Sequence, residues 1–388
     1  MINRISYLIL LFMISSVSLA GDPIKIGMST ALTGPSAALG IDMRVGIESF
    51  FEGVNKQGGV NGKQLELIVQ DDGYEPERAA LNMRALIDEY EVLAVIGNVG
   101  TPTAIVTVPI AEEKKTLLFG AFSGGDVLRP TPSSRYIINY RPSYAEETAE
   151  MIDGLMKAGI EPQQIAFFTQ RDGYGDAAYR GAVDALHKQG FEYTDQLVHG
   201  RYTRNTLNVE DAVAALLDAA ITPKVVIMAG GYAASAKFIE LVKQEIPDIW
   251  FINVSFVGSY SLMKALNYNA DNVVVTQVVP DISTDLPILE EYLTALNQFD
   301  AAIMPNDVSL EGFIVAKIFY LGLLNIEGEI NRESIVDGLE AVNGQDIGLG
   351  LQIYYDASDH QAIHNIWLTC LCGGDFNSFN WKMLNSTE

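Results

Sequence analysis

Short apolar runs alternate with amphipathic stretches from residue 24 to residue 279, and this alternation limits the chain to an α/β fold with parallel sheets. Ile24, Ile26 and Met28 read as a first strand. Met43, Ile47, Phe50, Phe51 and Val54 then recur at helical spacing. Residues 65–69, 93–96 and 116–119 are continuous apolar runs, the pattern of strands covered on both faces. After a break near Arg141 the alternation restarts. Helices are expected over 144–157 and 177–189, and strands over 165–168, 225–229, 250–252 and 273–276. The last third differs. Residues 287–298, 309–324 and 332–341 read as helices with little strand between them, and 351–355 and 363–371 as strands. A helix-rich return followed by a strand pair implies that the chain crosses back to complete both halves. The length exceeds what one hydrophobic core supports, so two domains are expected.

The first twenty residues have the layout of a secretion signal. Arg4 gives a positive start, residues 7–14 an apolar stretch, and Ser18-Leu19-Ala20 a small-x-small cleavage site. The apolar stretch is short against the roughly 20 residues a membrane span needs. Cleavage after Ala20 and an extracytoplasmic mature chain are the expectation. The net charge of −24 argues against nucleic acid or an anionic membrane as partner. The two cysteines, Cys370 and Cys372, are permitted a disulfide in an oxidising compartment. Alternate residues of a flat strand lie ~6.5 Å apart, near the limit for bridging, so two packed thiols are expected.

Ligands of open parallel sheets bind beyond the carboxyl ends of the strands. After the third strand come Gly97-Asn98-Val99-Gly100-Thr101-Pro102, with Thr101 suited to cap a helix and Pro102 to its first turn. Such a helix start offers free N–H groups to a carboxylate, although a plain capped helix would carry the same residues. After the fourth strand, Gly120-Ala121-Phe122-Ser123-Gly124-Gly125 gives close backbone approach, an apolar wall at Phe122 and a hydroxyl at Ser123. It lacks the Gly-Lys-Ser/Thr of a phosphate loop and the GxGxxG spacing, and no cofactor is expected. In the second half, Tyr144, Tyr174 and Tyr232 stand at corresponding loops, and Ser255 follows the next strand. Tyrosines at loop tips suit a cleft, with an apolar ring and a polar tip. No nucleophile–base pair stands out, and His187, His199, His360 and His364 are not spaced for a metal. Asp71 and Asp72, adjacent and so on opposite strand faces, read as turn and cap residues.

These residues together resemble the type I periplasmic solute-binding proteins of branched-chain amino-acid-type ABC importers. The likeness spans nearly the whole mature chain. It rests on Thr33-Gly34-Pro35, KQGGVNG from Lys56, DDGYEP from Asp71, VGTPT from Val99, GAFSGG from Gly120, NYRPSY from Asn139, SFVGS from Ser255 and TQVVP from Thr276. The resemblance implies two doubly wound α/β lobes joined by three crossovers near Arg141, Gln277 and Gly350, with a ligand cleft between them. Lobe 1 would comprise residues 21–140 and 278–350, and lobe 2 residues 141–277 and 351–388. Leu39 would lie at the cleft edge, and Thr101 with the Ser123-Gly124 loop would hold a ligand carboxylate. Tyr144, Tyr174, Tyr232 and the position of Ser255 would come from the second lobe. The implied function is capture of a small organic solute by lobe closure and its delivery, by a monomer in the periplasm, to an ABC permease. A sensory module reporting to a membrane kinase or chemoreceptor would use the same fold. Two departures stand out. Leucine-type receptors carry an acid for the ligand ammonium where this chain has Ser255; Glu311 reads either as an alternative cation partner or, equally, as a solvated helix carboxylate. Tyr74 and Gly100 occupy the places of those receptors' first-lobe disulfide.

Overall fold

The computed structural model describes residues 21–269, 271–355 and 359–385; the proposed signal segment and its cleavage site lie outside them. The first elements are β1 (Ile24–Thr30), α1 (Ala37–Lys56), β2 (Leu65–Asp71), α2 (Pro76–Asp88), β3 (Ala94–Ile96), α3 (Thr101–Lys114), β4 (Leu117–Phe119) and β5 (Ile137–Ile138). The strands form one parallel sheet in the order β2-β1-β3-β4-β5. Alternation of side chains across the pleat explains the continuous apolar runs. Ala94, Ile96, Leu117 and Phe119 enter one core cluster with α1, while Val95 and Leu118 enter another with Met83 and Leu86 of α2 and Ala104 and Val108 of α3. Both faces of the sheet are therefore covered at β3 and β4, whereas β2, at the edge, fully buries only Leu65 and exposes Glu66, against the expectation for residues 65–69.

The chain continues through α4 (Tyr144–Lys157), β6 (Ile165–Gln170), α5 (Gly173–Lys188), β7 (His199–Tyr202), α6 (Glu210–Leu217), β8 (Val225–Ala229), α7 (Tyr232–Glu245), β9 (Trp250–Asn253), α8 (Ser259–Ala265) and β10 (Val273–Gln277). It then forms α9 (Pro287–Phe299), α10 (Asp307–Leu324), α11 (Arg332–Glu340), a short pair β11 (Gln345–Asp346) and β12 (Gln352–Ile353), and finally β13 (Trp367–Cys372) and β14 (Asp375–Ser378). The second sheet has the order β14-β13-β10-β9-β8-β6-β7. It is parallel from β7 to β10, and β13 and β14 add antiparallel strands at one edge. Helices α9 and α10 pack back on α1 of the first lobe. Gly46 and Gly312 let α1 and α10 meet almost backbone to backbone: a Cβ on Gly46 would lie 1.9 Å from the Ser309 carbonyl oxygen.

The chain passes between the lobes along adjoining segments. The Asn139 N–H donates to the His360 carbonyl at 2.7 Å, the Ile363 N–H to the Tyr140 carbonyl at 3.2 Å, and the Tyr140 hydroxyl to the Val278 carbonyl at 3.0 Å. The strand expected over 351–355 is reduced to two residues paired with β11, because the chain here serves as a connection rather than as part of a large sheet. The cysteines also depart from expectation. Cys370 and Cys372 are joined in a disulfide, with Cα atoms 5.3 Å apart. The strand ends in a tight turn through Gly373 and Gly374, both at positive φ, and the 5.3 Å spacing is shorter than that of a flat strand and inside the range a disulfide spans. Among the described residues no helix is long and apolar enough to cross a membrane.

Candidate ligand-binding cleft

The loops that leave the carboxyl ends of both sheets face one another. In the first lobe, Gly100 at φ 101° is the residue before α3, and Thr101 is the first helical residue rather than its cap. The Thr101 side chain is thereby free of capping, and its Oγ1 lies 2.7 Å from Ser123 Oγ. Ser123 Oγ also accepts the Gly125 N–H at 3.1 Å. The next residue, Gly124, bridges to the second lobe: its carbonyl accepts the Tyr144 N–H at 2.9 Å. A Cβ on Gly124 would lie 2.7 Å from the Tyr144 ring, so the close approach needs glycine.

Tyr144 opens α4 directly after a capping box in which Ser143 and Glu146 satisfy each other's backbone N–H groups. Its ring centroid is 5.1 Å from that of Tyr174, and Tyr174 is 4.6 Å from Phe256. Phe256 then meets Phe122 at 5.4 Å and Tyr74 at 5.9 Å. These five rings form a continuous buried aromatic wall drawn from both lobes. Of the residues expected at the site, Thr101, Phe122, Ser123, Gly124, Tyr144 and Tyr174 thus stand together. Leu39 and Tyr232 make other contacts between the lobes. Leu39 is buried where Gly258 of the second lobe approaches it, and the half-buried Tyr232 reaches the backbone of Ala38 in α1.

Ser255 is tied to a buried acid of the second lobe. Its N–H and hydroxyl both donate to the buried carboxylate of Glu147, at 2.7 and 2.9 Å, and the Thr276 hydroxyl donates to the same group. Tyr74, Arg141, Glu147 and Phe256 were not among the expected site residues. Tyr74 and Arg141 were visible in the DDGYEP and NYRPSY runs, Phe256 in SFVGS, but which groups they would meet depends on long-range packing. Tyr74 sits at φ 63° and is held by the Asp72 carboxylate, which accepts its N–H at 2.8 Å. Its ring fills the space left by Gly100, where a Cβ would come within 2.1 Å of it. The two positions that resemble a disulfide site are thus in contact, as ring and glycine.

The electrostatics of the cleft centre on Arg141. It is fully buried, its Nη2 donates to Glu311 Oε2 at 2.9 Å, and the guanidinium carbon stands 4.2 Å from the Phe122 centroid. Burial pushes the Glu311 carboxyl up to about 7, against the pull of Arg141. Burial also raises Glu147, and raises the Tyr144 hydroxyl to about 12, again with Arg141 opposing. Glu311, expected as a possible partner for a ligand cation, therefore has a cation of its own. Asp71 and Asp72 are turn groups: Asp71 accepts from Leu32, Thr33, Gly73 and Arg78, and Asp72 from Ser29 and Tyr74. His364 Nδ1 lies 2.5 Å from Glu146 and His360 Nδ1 2.8 Å from the Ser134 carbonyl oxygen, both in the connecting segments. Among the described residues no group of three or more His, Cys, Asp or Glu is placed to hold a metal ion.

Comparison with known proteins agrees with this arrangement. A structure described as a possible leucine/isoleucine/valine-binding protein from Rhodopirellula baltica SH 1 is 44% identical, covers 96% of this chain and 100% of that one, and superposes with a TM-score of 0.92. The Leu/Ile/Val-binding protein homolog 7 of Brucella abortus is 23% identical over 340 residues, 84% of this chain and 82% of the relative. A leucine-, isoleucine-, valine-, threonine- and alanine-binding protein of Pseudomonas aeruginosa is 35% identical over 104 residues, 27% of this chain and 28% of that one. The family model described as periplasmic binding protein matches residues 23–374. With two α/β lobes, a cleft between their loop ends and this match over most of its length, the chain belongs to the periplasmic binding protein family, whose members bind solutes.

Proposed function

We propose that this protein captures a small carboxylate-bearing solute, an amino acid or a related acid or amide, between its lobes and delivers it to an ABC permease in the inner membrane. The lobes are residues 21–140 with 278–350, and 141–277 with 351–388, and the mature chain acts in the periplasm as a monomer after loss of residues 1–20. It performs no catalysis. The observation that carries this reading is the convergence of Thr101, Ser123 and Gly124 from the first lobe on Tyr144 from the second, all buried, next to an aromatic wall built by both lobes. Few polar groups beside a large apolar surface is the composition of a small-molecule site. Both halves are present only when the lobes meet, so ligand contacts favour closure. The leucine/isoleucine/valine-binding names of the relatives support an amino acid as the first class to test.

The test is a thermal-shift screen of residues 21–388 against amino acids, amides and plain small carboxylates. A ligand that binds only the folded state raises the melting temperature, by an amount set by its concentration over Kd. A rise with at least one carboxylate-bearing compound is expected, and no rise with any of them refutes the reading. For the ligand so found, Thr101→Ala is expected to raise Kd about tenfold, the worth of one well-placed hydrogen bond, without lowering the melting temperature of the free protein by more than a few degrees. Unchanged affinity would remove Thr101 from the site.

A further inference from the structure

Four buried polar atoms in the cleft have no hydrogen-bond partner among the described residues, and they belong to three neighbouring side chains. They are Nε and Nη1 of Arg141, the hydroxyl of Tyr144 and Oε1 of Glu311. Arg141 and Glu311 are bonded to each other through their remaining atoms at 2.9 Å, and both are at most 2% exposed. Tyr144 is near enough to Arg141 for the guanidinium to oppose the burial-driven rise of its hydroxyl, and Ser123 stands close enough to pull it the same way without meeting hydrogen-bond geometry. Buried polar groups are nearly always satisfied, and a charged one left short of partners is costly. Three orphaned donors beside one orphaned acceptor form a pattern that a bound molecule can complete.

The pattern also separates the two buried acids of the cleft. Glu147 takes three donors, from the Ser255 N–H and hydroxyl and from Thr276, so both of its oxygens are engaged. Glu311 has one oxygen on Arg141 and one free. The acid absent at position 255 is therefore not restored by Glu147, and the acceptor with spare capacity is Glu311.

Building on the solute-capture reading, we propose that Arg141, Tyr144 and Glu311 form the subsite that reads the head group of the solute. A carboxylate accepts from the Arg141 guanidinium and the Tyr144 hydroxyl, and an N–H donor beside it is accepted by Glu311 Oε1. The Phe122 ring covers one face of the guanidinium and restricts the ligand to its edge. The Ser123 hydroxyl, 2.7 Å from that of Thr101, also stands beside the Tyr144 side chain.

Calorimetric titration tests this with leucine, valine and phenylalanine, each against the acid of the same skeleton lacking the amino group and against the amide lacking the carboxylate. The parent protein should prefer at least one amino acid over both analogues. Hydrogen bonds to charged groups correspond to about ten- to a hundredfold in Kd. Arg141→Lys should therefore weaken the amino acid and its deamino acid alike by about a hundredfold, and Tyr144→Phe by about tenfold. Glu311→Gln should weaken the amino acid about tenfold and leave the deamino acid within about twofold. Circular dichroism melts of the free variants show that they fold; should Arg141→Lys not fold, Tyr144→Phe, which removes only a hydroxyl, still decides the carboxylate contact. Folded variants that bind as tightly as the parent overturn the proposal and leave the solute-capture reading standing. So does a parent that binds the deamino acids but none of the three amino acids. If none of these compounds binds while the thermal-shift screen finds another carboxylate, that compound and its analogues replace them in the same titration; if the screen also finds none, the capture reading itself fails.

Discussion

Single residues set the shape of this cleft where the backbone leaves no choice. Gly100 combines φ 101° with a Cβ direction that ends 2.1 Å from the Tyr74 ring. Alanine there would meet both a backbone penalty and a clash. We expect Gly100→Ala to cost about 1–3 kcal/mol in denaturant unfolding and to weaken ligand binding, because Tyr74 must move off Phe256 and off the Gln170 side chain that donates to its hydroxyl at 3.2 Å. A neutral outcome in both measurements would mean that Tyr74 moves aside freely. Asp71 sets the opening loop in another way. Burial alone would raise its carboxyl, but donors from Thr33, Leu32, Arg78 and Gly73 hold it down at about 2, against an ordinary 3.8. A group depressed on folding contributes stability that is present above the unfolded value and is lost as pH falls through the folded one. Asp71→Asn should therefore destabilise the protein near pH 6, and the gap to the parent should close between about pH 4 and pH 2. A gap independent of pH would show that shape, not charge, is what the loop needs from Asp71.

At the scale of elements, much is legible in the sequence, and each miss has its own physical cause. Strands β3, β4, β8 and β10 are covered on both faces and their sequences are largely apolar runs, while β1 shows through alternate Ile24, Ile26 and Met28. Strand β7, His-Gly-Arg-Tyr, escaped because it lies at the sheet edge and buries only alternate residues. The first turn of α3 was misplaced by one residue because Thr101 has the chemistry of a cap, while Gly100 supplies the backbone angle that the turn requires. The cleft shows the same division. The rule that ligands sit beyond strand ends located Thr101, Ser123, Tyr144 and Tyr174 from local sequence alone. Local sequence carries no record of contacts made across the cleft. Ser255 is tied to Glu147, 108 positions away, and Arg141 to Glu311, 170 positions away. Local sequence therefore shows that position 255 lacks an acid, but not that Glu147 and Glu311 come in from other elements beside Ser255 and Arg141.

For the whole molecule, the question is what holds the lobes together besides the connecting segments. Arg204 donates to Glu75 at 2.8 Å, and Asn205 donates to Glu75 at 2.7 Å and to the Gly73 carbonyl at 3.1 Å. Arg180 adds a pair with Asp126 at 2.8 Å. All of these join loops or helices of one lobe to those of the other. The Arg204 and Glu75 side chains are 22% and 44% exposed, so water screens the pair and its worth lies in the range of about 0–1 kcal/mol. A clasp this weak does not close the lobes unaided. It biases an equilibrium that the ligand then decides through contacts available only in the closed state. Glu75→Gln should accordingly raise Kd by about two- to fivefold, chiefly through faster release, while the melting temperature of the free protein stays within about 1–2 °C of the parent. In 1 M salt, where the screening length falls to about 3 Å, the parent should lose part of the same advantage and the two proteins should converge. A hundredfold loss in Glu75→Gln would mean that Glu75 contacts the solute itself. An unchanged release rate would mean that the lobes are held shut by the Thr101–Tyr144 side of the cleft alone, and the ion pair would then be a passenger of closure.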